Sequence, residues 1–254
     1  MERAVGWLAD ARRVVASTGA GMSKESGIPT FRDALEGLWE RYDPESLATE
    51  RGFRADPPLV WSWYAERRRQ IVACRPHAGH YALAEMDALL PSLVVLTQNI
   101  DGLHAAAGSR DVVELHGSIR RVKCLDAHHP FTGEIPDTEG APPPCPRCGS
   151  PLRPDVVWFG EVLPEEAMER AWILAEMCDV MLVVGTSGLV FPAADIPRAA
   201  KAAGARIVEV NPHPSGITPV ADVFLRGSAG EVLPMLLEGL KRAKAESGGP
   251  HPAA

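Results

Sequence analysis

Nothing in the 254-residue sequence is long and apolar enough to cross a bilayer; no run approaches the roughly 18 to 20 apolar residues that a spanning helix needs. The start of the chain, where Glu2 and Asp10 stand beside Arg12 and Arg13, lacks the basic-then-apolar layout of a secretory signal. Cysteine is scarce: five residues, an odd number in a chain this long, do not make a disulfide framework. A basic excess is missing too, and the net charge of −7 argues against direct nucleic-acid binding. No internal repeat is present. These absences leave a cytoplasmic globular protein as the expectation, with no membrane partner. The length and the 46% hydrophobic content suit one sizeable α/β domain plus a smaller module.

One further absence carries more information. Arg13-Val14-Val15-Ala16 runs into Gly19-Ala20-Gly21, which opens like a phosphate-cradling turn between a strand and a helix. A dinucleotide fingerprint would place a third glycine at position 24 and continue as helix. Here position 24 is Lys24, and Gly27-Ile28-Pro29 stops any helix soon afterwards. The turn starts a nucleotide site and then leaves the usual path.

What is present is a rhythm. Short apolar runs recur at Val14-Val15, 93–96, 112–115, 180–184, 206–210 and 223–225, and each reads as a strand buried on both faces. Residues 81–90, 164–177, 195–203 and 230–245 carry apolar residues at spacings of three and four, the mark of a helix with one buried face. The alternation predicts an α/β fold: a doubly wound, Rossmann-like parallel sheet with helices on both sides. Residues 34–75, aromatic and helical in pattern, and 121–153, loop-like with three of the cysteines, interrupt that rhythm. They are expected to form a smaller lobe, helical plus zinc-ribbon-like, built from two insertions. The main domain then comprises 1–33, 76–120 and 154–246, and 247–254 is a disordered tail. Six strand ends carry glycine or small polar residues on one rim, where ligands of such sheets bind. Any one alone is an ordinary turn.

Taken together, "GAGMSKESGIPTFRD" (19–33), "TQNIDGLH" (97–104), "ELHGS" (114–118), "CPRCG" (145–149), "VWFGE" (157–161), "GTSGLVFP" (185–192) and "EVNP" (209–212) resemble the sirtuin family of NAD-dependent protein deacylases. They fall in the family's order across roughly residues 10–235. The resemblance implies NAD as co-substrate, held by Gly19, Ala20, Gly21, Ser23, Gly185, Thr186, Ser187 and Asn211, with Ala229 near adenine. Thr30, Phe31 and Arg32 belong to the loop expected to cover the ribose and nicotinamide. Gln98, Asn99, Ile100 and Asp101 would line the nicotinamide pocket, and His116 would be the general base. In the implied reaction the acyl-lysine carbonyl oxygen displaces nicotinamide at the ribose, giving an imidate. His116 then deprotonates a ribose hydroxyl for attack on it. Free lysine, nicotinamide and O-acyl-ADP-ribose result. Val157, Trp158, Phe159 and Gly160 would present a strand edge on which an extended acylated-lysine substrate docks.

Two departures from the family's common pattern remain open in the sequence. Cys145 and Cys148 form an intact pair, but in "CLDAHH" only Cys124 is present and position 127 is Ala127. A structural zinc wants four ligands. His128 or His129 can supply the fourth, Asp126 is a weaker candidate, and a site holding no metal is the alternative. The second concerns Tyr64 and Arg67, which match the Tyr-x-x-Arg of the desuccinylase-type (class III) sirtuins, with Ala34 as the small residue that widens their acyl pocket. The resemblance therefore implies desuccinylation and demalonylation beside deacetylation, and a monomer is the expectation. The alternatives are a mono-ADP-ribosyltransferase on the same scaffold and a non-catalytic NAD-responsive binding module.

Overall fold

The computed structural model describes residues 1–29, 44–136 and 140–247. Thr30, Phe31, Arg32 and Ala34 lie outside the described residues. So does the tail after Ser247, although Ser247 itself, expected in that tail, ends a helix.

The valine-rich runs become strands because they are apolar on both faces and can be covered on both. β1 (Val14–Thr18), β2 (Leu93–Thr97) and β3 (Val112–Glu114) precede a two-stranded pair, β4 (Gly117–Cys124) and β5 (Leu152–Val156). β6 (Val180–Val184), β7 (Arg206–Asn211) and β8 (Val223–Arg226) follow. Six of them form a parallel sheet in the order β3-β2-β1-β6-β7-β8. This is a doubly wound sheet, and its order reverses between β1 and β6. The crevice at such a reversal, outside the carboxyl ends of the strands, is where dinucleotides bind. Thr18 registers with Thr97 on one side and Val184 on the other, so the strand ends are flush and the loops after them meet.

One face of the sheet is covered by the helices Glu2–Asp10, Ala78–Leu89 and Ala229–Ser247, through Leu8, Leu83, Met86, Leu233, Leu236 and Leu240. Helices Glu165–Met177 and Ile196–Ala202 cover the other, through Ala171, Ala175, Ile196 and Ala200. Trp61 packs with Val122, Cys124, Cys145 and Leu152 in a separate cluster, while Leu47, Phe53, Val60, Tyr64 and Trp158 form the core of the helical part. Antiparallel β4 and β5 were not foreseen in a loop-like stretch; β4 begins at Gly117 and β5 ends at Val156, so each crosses a boundary drawn from the sequence.

Candidate active site

The two glycine loops touch each other. Gly19 N–H donates to the Val184 carbonyl at 3.0 Å and Gly21 N–H to the Gly185 carbonyl at 2.8 Å. A Cβ on Gly21 would lie 2.8 Å from that carbonyl oxygen, and one on Gly185, at φ +61°, would strike the Met22 nitrogen. The glycines are therefore required by loop-to-loop packing as well as by any approach of a phosphate. After Gly19 the chain makes one tight helical stretch, Ala20–Ser26, and Gly27 ends it at φ +84°. Glu25, which the sequence reading passed over, accepts from the N–H of Gly230 at 2.7 Å and from the Ser228 hydroxyl at 2.9 Å. It ties this loop to the N-terminus of the last helix beside Ala229, where a carboxylate is favoured by the helix dipole.

Asn99 and Asp101, after β2, form a buried polar cluster with Ser23 of the first loop. Asn99 Nδ2 donates to the Gly19 carbonyl at 3.0 Å and to Ser23 Oγ at 2.9 Å. Ser23 Oγ donates to Asp101 Oδ2 at 2.7 Å, and Asp101 Oδ1 accepts from the Leu103 N–H at 2.8 Å. Gln98 Nε2 reaches Thr186 Oγ1 at 3.3 Å. Asn211 Nδ2 donates to the Thr186 carbonyl at 2.8 Å, steered by Glu209, which also accepts from Ser215 and Thr218. Glu209 is fully buried, and the sequence signal for it was only its place in "EVNP". Thus Gly19, Gly21, Ser23, Gln98, Asn99, Asp101, Gly185, Thr186 and Asn211 converge on the sheet reversal; Ala20, exposed, and half-buried Ile100 and Ser187 lie on the same loops.

His116 stands between β3 and β4, half-buried. Its Nδ1 is 2.9 Å from the Gln98 carbonyl, which only accepts, so Nδ1 carries the hydrogen and Nε2 keeps a bare lone pair. Burial lowers the imidazole pKa below its ordinary value, partly offset by that carbonyl bond, and the ring is neutral at neutral pH. This is the protonation state of a base. The other histidines do different work. His77 caps the Ala78–Leu89 helix, and burial pushes His80 down to about 2 and His104 down to about 4.

The segment after β5 is a turn and not the expected strand edge. Val157 N–H donates to the His116 carbonyl at 3.0 Å, Phe159 N–H to Ala48 at 2.9 Å, and Glu161 N–H closes back on Trp158 at 3.0 Å. Gly160 turns at φ +86°. Trp158 is buried while Phe159 is 56% exposed. Next to this turn, Tyr64 is buried and its hydroxyl accepts from Trp158 Nε1 at 3.0 Å; burial raises the phenol pKa to about 12. Arg67, one turn along the Pro57–Ala73 helix, is half-buried with its guanidinium 5.6 Å from the Trp63 ring centre. Burial lowers its pKa, against the pull of Tyr64.

The cysteine module answers the fourth-ligand question. Cys124, Cys145, Cys148 and His129, and not His128, place their donor atoms within 4.8 Å of one another. Cys148 and Cys124 sulfurs are 3.9 Å apart, close to the ~3.8 Å edge of a tetrahedron of thiolates around zinc. His128 is exposed at φ +52°, and that left-handed residue turns the chain so that His129 N–H meets the Cys124 sulfur at 3.2 Å and its Nδ1 lies 4.0 Å from Cys145. Asp126 is spent on Arg54 and Ser150. Burial acts to raise the Cys145 thiol, but the N–H of Arg147, the His129 ring and Cys148 outweigh it and bring it to about 6. The donor set fits a tetrahedral zinc in a structural role, with Cys124 at the far end of β4 from His116. Cys178 is buried and Cys74 half-buried, both free.

A doubly wound sheet with two glycine loops meeting at its reversal defines the dinucleotide-binding class of fold. A Sir2-family match runs over residues 19–192, from the first glycine loop past the second, and the chain belongs to the Sir2 family. It is 58% identical over 235 residues to NAD-dependent protein deacylase 2 of Pyrobaculum aerophilum, covering 92% of this chain and 94% of that protein. Among solved structures it is similar to a Sir2 homologue in complex with NAD, with a TM-score of 0.87, 45% identity and coverage of 96% of this chain and 94% of that one. It is also similar to Sir2Af2 bound to a myristoylated histone peptide, at a TM-score of 0.75 and 37% identity, covering 96% and 98%.

Proposed function

We propose that the protein is an NAD-dependent protein-lysine deacylase whose acyl pocket takes succinyl and malonyl groups as well as acetyl. The deacylase class rests on family membership and on 58% identity to a protein deacylase over nearly the whole chain. The acyl preference rests on one observation: among the described residues, no hydrogen bond or ion pair engages the half-buried Arg67 guanidinium, which stands one turn from the Tyr64 hydroxyl. A partly desolvated cation facing only a ring is poorly compensated. A terminal carboxylate on the acyl chain would bind it in bidentate fashion, with the hydroxyl as a further donor.

NAD supplies the ADP-ribosyl group that takes up the acyl group, and nicotinamide as leaving group. In this reading the loops of Gly19, Ala20, Gly21 and Ser23 and of Gly185, Thr186 and Ser187 hold the phosphates, the glycines by letting the backbone come close, since their own N–H groups are taken; Asn211 orients the adenosine half and Ala229 lies beside adenine. Gln98, Asn99, Ile100 and Asp101 hold the nicotinamide, with Thr30, Phe31 and Arg32 expected over it. His116 Nε2 takes a ribose hydroxyl proton while its Nδ1–H stays on the Gln98 carbonyl. The Val157–Gly160 turn receives the peptide beside that base; with the N–H groups of Val157, Trp158 and Phe159 taken, it would offer carbonyl oxygens. A cytoplasmic setting is in keeping with five cysteines that make no disulfide framework by number. We read the chain as a monomer with the two-lobe division given above.

The test is a panel of acyl-lysine peptides with NAD. Succinyl-lysine should be processed at least as well as acetyl-lysine. Arg67→Met should cut desuccinylation strongly and spare or raise deacetylation; equal loss of both would show that Arg67 only supports the fold.

A further inference from the structure

Trp158 is held on every side. Its N–H donates to Glu161 Oε2 at 2.8 Å, and its ring lies 3.4 Å beneath the Arg153 guanidinium carbon and 5.3 Å from the Phe53 ring. Arg153 is itself fully buried and fixed by the Glu161 carboxylate and by the Val156 carbonyl at 2.8 Å. Burial acts to raise the Glu161 carboxyl, and Arg153 and the Trp158 N–H outweigh it, so the carboxylate stays charged. A clamp of this kind leaves the indole no freedom to turn. Its single donor, Nε1–H, is committed to Tyr64 Oη at 3.0 Å.

A phenol hydrogen prefers the ring plane, with two positions available, one on each side of the oxygen. The indole N–H occupies one of them as donor, so the Tyr64 hydrogen takes the other. Tyr64 makes no second hydrogen bond among the described residues, which leaves that hydrogen for an incoming acceptor.

We propose that Trp158 is a positioning residue for acyl specificity: clamped by Arg153 and Glu161, it fixes the Tyr64 hydroxyl as a donor directed at an acidic acyl group. This rests on the acyl reading above. It adds that the selectivity is set by a pair of residues from two elements, the Pro57–Ala73 helix and the turn after β5, and not by the helix alone. The ligand class is an acyl chain ending in a hydrogen-bond acceptor, best a carboxylate.

The experiment measures kcat/KM for succinyl-lysine and acetyl-lysine peptides in Trp158→Phe, Tyr64→Phe, the double variant and Arg67→Met. Trp158→Phe keeps an aromatic ring between Arg153 and Phe53 while removing the donor, and the acetyl-lysine rate of the same variant reports the effect of the lost ring volume. Both single variants should lower the succinyl-to-acetyl ratio by about 3- to 10-fold, mostly through KM, as for the loss of one hydrogen bond. The double variant should fall no further than Tyr64→Phe. Multiplicative losses, or an unchanged ratio in Trp158→Phe, would overturn the proposal while a ratio that collapses in Arg67→Met leaves the acyl reading intact. An unchanged ratio in Arg67→Met would overturn both. Where Trp158→Phe does not fold, the indole N–H resonance of the unaltered protein decides. It should be protected from exchange, move in Tyr64→Phe, and move on adding succinyl-lysine peptide and not acetyl-lysine peptide; a resonance indifferent to Tyr64→Phe would overturn the coupling.

Discussion

At His116 the Gln98 carbonyl decides which nitrogen carries the hydrogen, and burial decides how far the pH can fall before the other is protonated. His116→Ala or His116→Tyr should reduce deacylation by about 10² to 10⁴ while the protein stays folded, since the residue is half-buried at a strand end. The lowered pKa fixes the sign of the pH profile. The base works when neutral, so kcat/KM should rise with pH through a pKa below the ordinary 6.5 and be level by neutrality. Pre-steady-state rates between pH 5 and 8 check it; a rise centred at or above pH 7 would assign the ionisation to another group.

Among the elements, the cysteine module makes the sharpest separation between neighbours. His129→Ala should lose most of the bound zinc, about one equivalent per chain in the unaltered protein, whereas His128→Ala should keep it. Metal content by elemental analysis reads this, and a loss in His128→Ala instead would reverse the ligand assignment. The sequence left the two histidines open because the choice depends on the backbone angle at His128, φ +52°, which residue types alone do not specify. The strands were readable for the opposite reason: 93–96 and 180–184 are apolar on both faces, as a covered parallel strand requires. Other features were hidden by general rules. Glu2–Asp10 is a helix of nine residues whose Ala4, Val5, Trp7 and Leu8 form an apolar stripe, a pattern little more than two turns long. Arg153 sits fully buried in a strand, where a reader expects arginine outside, and its stacking on Trp158 follows from tertiary contact alone. The rim of glycines and small polar residues was legible as a site. That Gly21 and Gly185 are packed against each other was not, since 164 residues of chain separate them.

For the molecule as a whole, the buried histidines set the acid limit. His104 titrates near 4 and His80 near 2 when folded, against about 6.5 when unfolded, so the unfolded chain takes up protons first. Stability is then full above about pH 6.5 and is lost as the pH falls toward 4, by up to about 1.4 kcal/mol per pH unit for each histidine. Thermal unfolding from pH 7 to pH 5 should show this loss, and His104→Gln should make it shallower; identical slopes would place the acid sensitivity elsewhere. If these parts serve one reaction, its products are the quantities to count. Incubated with NAD and a succinyl-lysine peptide, the protein should release nicotinamide, free lysine peptide and O-succinyl-ADP-ribose in equal amounts by mass spectrometry. Nicotinamide release with ADP-ribose left on protein, or no NAD consumption with any acyl peptide, would contradict it.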